Sequence, residues 1–399
     1  MAATTNPTTG QSAAQHLVTG ATGFVGGAIA LELLTRTGVD LVCLVRGEDD
    51  ATATKRLHDA LVHAAEVYDL QDLVPSVLER TRAVAGDITD ADLAATAERI
   101  GTVHAVWHVA ASLKYEDRHA DEINLMNVTG VHNVLALAKS LGEPVFNQVS
   151  TAYVAGRRTG LQTESSPEDT TWANNVYEAT KTVGEQAVRE SGLPWRILRP
   201  SIVIGHSVTR AATSFTGMYG FVSSVLRFKR SVEAELGNLL SHRRVPIISD
   251  PTIECDLVPV DFVARNAVAI GTAGELGRIY HLNNSTSPQV GHVIEEVFEL
   301  VGLRRPQFVT SQGMLTAVDK KLDDGIQFYA SYMVNGKHFD QSNTDAVCGA
   351  DASVFPMDRA VIRDFVQWYL HRIREDGRGS APKRADFAYR ARRSPQTVG

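Results

Sequence analysis

A doubly wound α/β fold, one parallel sheet with helices on both faces, is predicted by three observations. Short apolar runs alternate with helical patterns through the first half of the 399-residue chain. Several of those runs lack polar alternation, as strands covered on both faces do. The first run, Leu17-Val18-Thr19, passes through Gly20, Gly23 and Gly26 straight into a helical pattern. A strand that turns through glycines into a helix N-terminus is the phosphate cradle of a Rossmann-type sheet.

In that cradle Gly20 permits the tight turn, Gly23 lets backbone approach a pyrophosphate, and Gly26 lets helix and strand pack closely. Thr22, Phe24 and Val25 complete the turn as candidate cofactor contacts. The predicted strands are 17–19, 41–45, 82–85, 105–109, 145–149 and 196–198. Helical patterns lie between them at 26–37, 50–67, 90–99, 122–141 and 174–191. Such repeated βα units build a parallel sheet.

After Pro200 the alternation lapses. Residues 205–250 are richer in Ser, Arg and Phe and show no clear period. Farther on, 256–263 reads as a strand leading into a helix, 279–282 as another strand, and 293–301 as a helix. The expected organisation is a floppy tail at 1–15, a dinucleotide-binding domain at 16–204, and a smaller substrate-binding region at 205–376, partly interleaved with the sheet. A basic, Pro/Gly/Ser-rich mobile tail at 377–399 follows.

A net charge of −7 argues against a general nucleic-acid partner. No apolar stretch approaches membrane-spanning length, and the N-terminus lacks the basic and apolar parts of a signal peptide. Cys43, Cys255 and Cys348 are scattered, without a CxxC pair, so neither a disulfide framework nor a zinc site is expected. A cytoplasmic protein is the expectation.

Tyr177 and Lys181 stand four apart in a helical pattern and so share a face. An ammonium beside a phenol stabilises the phenolate and eases proton transfer. Thr151 closes the 145–149 strand, at the strand end where ligands meet such sheets. Its hydroxyl is placed to hold a substrate oxygen; alternatively Thr151 forms a local turn and Tyr153 is the working ring.

Six ordered segments then resemble the extended short-chain dehydrogenases/reductases: TGATGFVG (19–26), Gly86-Asp87-Ile88, HVAAS (108–112), NVTG (127–130), YEATK (177–181) and RPSIVIG (199–205). Within that superfamily, VSTAYVAG (149–156), RPSIVIG, Leu44-Val45-Arg46 followed by Arg56-Leu57, and the weaker DLVPVDFVARNAV (256–268) resemble the fatty acyl-CoA reductase and thioester-reductase branch. The resemblance implies a catalytic Thr151, Tyr177 and Lys181, with Lys181 also on a cofactor ribose. It implies Asp87 and Ile88 at the adenine, Val109, Ala110 and Ala111 at the central phosphates and ribose, and Pro200, Ser201, Ile202 and Val203 at the nicotinamide. Asn127 would support the active-site helix.

The adenosine 2′ position lies at the end of the second strand, where an acid favours a hydroxyl and an arginine a phosphate. Arg46 stands there, Arg56 follows in the next helix, and Asp40 sits at the strand's wrong end, so NADPH is expected over NADH. The expected activity is NADPH-dependent reduction of an acyl thioester, on coenzyme A or an acyl carrier protein, to an aldehyde, with the two-electron outcome and the four-electron outcome, an alcohol, both left open. Reduction of a ketone or aldehyde, sugar-nucleotide epimerisation or dehydration, and cofactor sensing without turnover are the alternatives. The run Arg227-Phe228-Lys229-Arg230 reads either as a dock for an acidic carrier or as a solvated helix face.

Overall fold

Residues 14–114, 116–166 and 169–377 are described in the computed structural model. The expected tails lie outside the described residues except at their inner ends, where Gln15 opens the first strand and Gly377 ends the last helix.

Seven strands pair in parallel: β1 (Gln15–Thr19), β2 (Asp40–Val45), β3 (Thr81–Ala85), β4 (Ala105–His108), β5 (Val145–Val149), β6 (Trp195–Pro200) and β7 (Arg278–Leu282). Their spatial order is β7-β6-β5-β4-β1-β2-β3, so the order reverses between β1 and β4. The crevice outside those two strand ends is where such sheets bind ligands. Val18, Leu41, Cys43, Trp107 and Leu198 supply one buried face; Leu17, Val42, Val106, Phe146 and Ile197 supply the other. Both faces are covered, which is why these strands show no polar alternation.

The first face packs against α1 (Phe24–Arg36), α2 (Asp50–Val67) and a later helix, Val260–Ala273. The second packs against α3 (Gly130–Ser140) and α4 (Val176–Arg189). Capping starts α2 and α4 where the sequence turns polar: Asp49 accepts from the Thr52 amide at 2.7 Å, and Asn175 accepts from the Glu178 amide at 3.0 Å. A separate apolar core joins α5 (Met218–Leu236), α7 (Val290–Leu300), α8 (Ala317–Ile326) and α9 (Arg359–Gly377); Val260–Ala273 is α6 in this numbering.

Two predicted helices differ from what forms. The pattern at 90–99 is a 3₁₀ turn, Leu93–Thr96, followed by one helical turn, Ala97–Ile100. The pattern at 122–141 is broken by a π-turn, Leu125–Thr129, between Ala120–Asn124 and α3. The wide turn lets Asn127 face inward, where it is 2% exposed and fully engaged. π-turns inside helices often mark functional sites for this reason. Among the described residues, no helix is long and apolar enough to cross a membrane.

Candidate active site

The glycine turn is dictated by close backbone contact. Gly20 has φ +77°, and a Cβ there would lie 2.7 Å from the Ala110 nitrogen. A Cβ on Gly26 would lie 2.2 Å from the Gly20 carbonyl oxygen. Neither clash involves a movable side chain, so both positions require glycine. The turn delivers the chain into α1, whose N-cap, Gly23, makes no side-chain cap hydrogen bond. Its first amides, at Phe24, Val25 and Gly26, point out of the helix with the positive end of its dipole, as a pyrophosphate requires. Thr22, between two of the glycines, lies in the same turn.

Thr19 ties this turn to β4. Its hydroxyl oxygen accepts from the Val109 and Ala110 amides, each at 3.2 Å, and meets His108 Nδ1 at 2.7 Å. Burial drives the His108 pKa down to about 3, so the ring is neutral. The Val109–Ala111 segment is thereby held across the crevice from the glycine turn.

Asn127 holds the next segment. Its side-chain oxygen accepts from the Ser112 amide at 2.7 Å, while Nδ2 donates to the Ser112 carbonyl at 3.1 Å and to Thr180 Oγ1 at 3.2 Å. One buried amide thus joins the π-turn, the post-β4 loop and the helix bearing Tyr177 and Lys181.

Thr151 is 6% exposed at the end of β5. Its oxygen accepts the Tyr153 amide at 3.2 Å, and its side chain stands near enough to the Tyr177 phenol to favour the phenolate. Lys181, 5% exposed, donates from Nζ to the Val149 carbonyl at 2.8 Å. Burial lowers its pKa to about 8, opposed by the Glu185 carboxylate. Tyr177 and Lys181 share one helix, as their spacing predicts, with Thr151 beside the phenol, but the electrostatics differ. Burial and then the Glu178 carboxylate push the Tyr177 phenol above its ordinary value, with only the Thr151 side chain opposing them. The acidified phenol expected from the Tyr-x-x-x-Lys spacing is not what forms here. The ammonium is turned to a backbone carbonyl instead.

Opposite them, Pro200 and Ser201 lead from β6 into Ile202–Ile204, which pairs in parallel with Leu257–Pro259. Ser201 Oγ donates to Asp256 Oδ1 at 2.5 Å, and the Asn284 amide donates to the same oxygen at 3.1 Å. Burial raises the Asp256 pKa to about 6 in spite of these donors. Tyr153 lies on this wall, edge-on to Tyr332 with ring centroids 4.7 Å apart.

Beyond β2 and β3 an open cleft of about 890 Å³ is lined by Arg46, Asp50, Gly86, Asp87 and Arg99, among others. Arg46 is exposed there, and its carbonyl accepts from Arg56 Nη1 at 3.0 Å. Asp87 accepts from the Thr89 amide and hydroxyl at 3.0 and 2.9 Å. Ile88 is buried against Gly130, where a Cβ would meet its side chain at 2.9 Å. Asp40 opens β2 at the far end, facing Arg80 at 3.7 Å. The run 227–230 divides: Phe228 enters the second core, while Lys229 pairs with Glu233 at 3.4 Å.

Sequence reading missed four residues of this neighbourhood: Arg99, Glu178, Asp256 and Tyr332. Glu178, three residues after the helix cap Asn175, and Asp256, which opens the 256–268 segment, left a signal. The Glu178 carboxylate accepts from the Asn174 amide at 2.7 Å and from the Tyr332 hydroxyl at 2.5 Å.

Comparison with known proteins shows the family and the fold. The family model described as male sterility protein matches residues 18–267. Isonitrile lipopeptide synthase of Streptomyces coeruleorubidus is 30% identical over 68% of this chain and 18% of its own length. Fatty acyl-CoA reductase 2 of Bos taurus is 25% identical over 72% of this chain and 62% of its own. The chain thus spans less than two thirds of either curated relative. The terminal R domain from the myxalamid PKS-NRPS biosynthetic pathway superposes with a TM-score of 0.71, at 25% identity, covering 94% of each chain. This chain belongs to the male sterility protein family, in the thioester-reductase-like branch of the extended short-chain dehydrogenases/reductases.

Proposed function

We propose that the protein reduces an acyl thioester, presented on coenzyme A or an acyl carrier protein, to an aldehyde, with NADPH as reductant. The observation that carries this reading is the meeting of the Thr151 and Tyr177 hydroxyls at the end of a central strand, one helical turn from a buried amine. The names of the fatty acyl-CoA reductase and lipopeptide synthase relatives favour a thioester over a sugar nucleotide.

A dinucleotide fits the residues present. The Gly20–Gly26 turn and the α1 amides suit its pyrophosphate, Asp87 and Ile88 its adenine, and Val109 to Ala111 the central phosphates and ribose. Lys181 suits a ribose hydroxyl, and Pro200 to Val203 border the nicotinamide, which supplies the hydride when bound. Thr151 and Tyr177 then donate hydrogen bonds to the thioester oxygen as it gains charge, a two-donor oxyanion site. Because burial keeps the Tyr177 phenol protonated, it remains a donor throughout the neutral range. Collapse of the tetrahedral adduct breaks the C–S bond, releases the thiolate and leaves the aldehyde. Further reduction to the alcohol would need the hydride of a second NADPH, with Tyr177 giving the proton to the aldehyde oxygen.

NADPH absorbance in the near ultraviolet, with thiol release followed in parallel, tests this with acyl thioesters, aldehydes and ketones. Oxidation matched by thiol release is expected. Oxidation with aldehydes or ketones but never with thioesters would make the protein a small-carbonyl reductase.

Arg46→Ala is expected to weaken NADPH by about 10–100-fold, the scale of a charge-assisted hydrogen bond, with NADH nearly unaffected. Equal weakening of both, measured by cofactor fluorescence, would remove Arg46 from the 2′-phosphate. Lys181 is charged below about pH 8 and neutral above it. If the charge holds cofactor and proton chemistry in place, kcat/KM falls as pH rises through about 8, and Lys181→Arg moves that limb to higher pH. A limb unmoved in Lys181→Arg belongs to another group.

A further inference from the structure

The wall behind Thr151 and Tyr177 carries a cation that the chemistry above does not use. Lys337 opens a short strand, Lys337–Phe339, parallel to Gly160–Gln162. Alternate strand residues face opposite sides. Here Lys337 and Phe339 face inward while His338 is exposed. Phe339 packs with Ala152, Tyr153 and Ala155, and Ile202 and Tyr332 close the same cluster. Lys337 Nζ stands 5.7 Å from the centre of the Tyr153 ring.

Lys337 is 7% exposed, and its amine has no hydrogen-bond acceptor among the described residues. The nearest buried anion does not supply one. Glu178 accepts from the Asn174 amide, from Asn174 Nδ2 and from the Tyr332 hydroxyl, and reaches Lys337 only as a charge through space. The Tyr153 face gives a cation–π contact, which satisfies no N–H donor. A buried ammonium with undonated hydrogens is costly, and sites tolerate one where a ligand completes it.

Its position says which ligand. Tyr153 lies two residues beyond Thr151, Glu178 follows Tyr177, and Ile202 belongs to the segment assigned to the nicotinamide. An acyl chain that extends from the Thr151 and Tyr177 hydroxyls along this wall passes Lys337. We propose that Lys337 is a specificity residue whose amine receives an oxygen acceptor on the acyl chain, so that hydroxylated, oxo- or amide-bearing acyl thioesters are preferred over plain alkyl ones. The thioester rests on the reductase reading above; the preference itself is a binding property. An unbroken alkyl chain leaves the amine desolvated and unpaired, and sites built to hydrogen-bond a polar group discriminate strongly against analogues without it.

Isothermal titration calorimetry of the full chain with NADP⁺ present compares butyryl-, 3-hydroxybutyryl- and N-acetylglycyl-coenzyme A. At least one oxygenated thioester is expected to bind about tenfold tighter than butyryl-coenzyme A, or better. Lys337→Met, which keeps the apolar stem, removes that advantage and leaves butyryl-coenzyme A unchanged, while Lys337→Arg restores part of it. Equal affinities in the parent protein overturn the proposal. So does an equal loss for all three thioesters in Lys337→Met, the result expected if Lys337 only braces Glu178. NADPH oxidation with the same thioesters reads the reductase assignment separately: discrimination in binding with no turnover sinks that assignment and supports the Lys337 site.

Discussion

Tyr177→Phe is expected to cut thioester-dependent NADPH oxidation by roughly 10²–10⁴-fold, the range for losing a positioned acid, while NADPH affinity stays nearly intact. The substitution removes one hydroxyl and little else. The ring remains half-buried, and Thr151 still accepts the Tyr153 amide that fixes its place at the end of β5. What disappears is one of two donors to the developing oxyanion, together with the proton source for any second reduction. Thr151→Val separates the two duties. It removes the other donor but no proton source, so it slows thioester reduction more than aldehyde reduction. Turnover by Tyr177→Phe within a few-fold of the parent would take the phenol out of the mechanism. The high phenol pKa sharpens the expectation, since a group that stays protonated contributes by donating, and phenylalanine cannot donate.

The largest loss of stability is expected from Glu185→Ala. Arg199 on β6 donates from Nε and Nη2 to the two oxygens of Glu185 on α4, at 2.9 and 2.6 Å, with side chains 2% and 0% exposed. Removing one partner leaves an uncompensated buried charge, at a cost of about 3–5 kcal/mol. Arg199 keeps one other acceptor, the Ser165 carbonyl at 2.9 Å, which offsets little of that. Denaturant unfolding monitored by circular dichroism should show the loss as a lower midpoint with the slope nearly unchanged. Glu185→Leu combined with Arg199→Met should recover most of it, because a matched apolar pair leaves no orphaned charge. A stability within about 1 kcal/mol of the parent for Glu185→Ala would show the pair to be far better solvated than its burial implies. Glu185 lies one turn after Lys181, so the pair also pins the helix bearing Tyr177 and Lys181 to the sheet. Turnover should fall with it even where the protein remains folded.

The Rossmann half was legible because its signals are local. A strand running into three glycines, uniformly apolar strands and an ordered set of short segments each need only neighbouring residues to be read. α2 begins and ends where its pattern does, at Asp50 and Val67. The second half was harder. α5 buries Met218, Phe221, Val222, Val225, Phe228 and Val232 at helical spacing. Its apolar face is nonetheless interrupted by Ser and Arg and flanked by Gly217 and Gly237, which blurred the period. The break at Leu125–Thr129 had no local cause, since the residues there are compatible with an ordinary helix. Its reason is Asn127 reaching Ser112 and Thr180, both distant along the chain.

Local patterns alone identified the glycine turn into the first helix, the parallel sheet of the first strands, and the shared helix of Tyr177 and Lys181. Those inferences hold because backbone geometry sets which side chains share a face or a strand end. Burial and long-range partners were beyond its reach. The direction of the Tyr177 shift, the Lys181 contact with Val149, the Ser201–Asp256 hydrogen bond and the undonated amine of Lys337 each depend on segments far apart in the chain. Charge and solvation answer to everything packed within a few ångströms, and only the folded chain determines what that is.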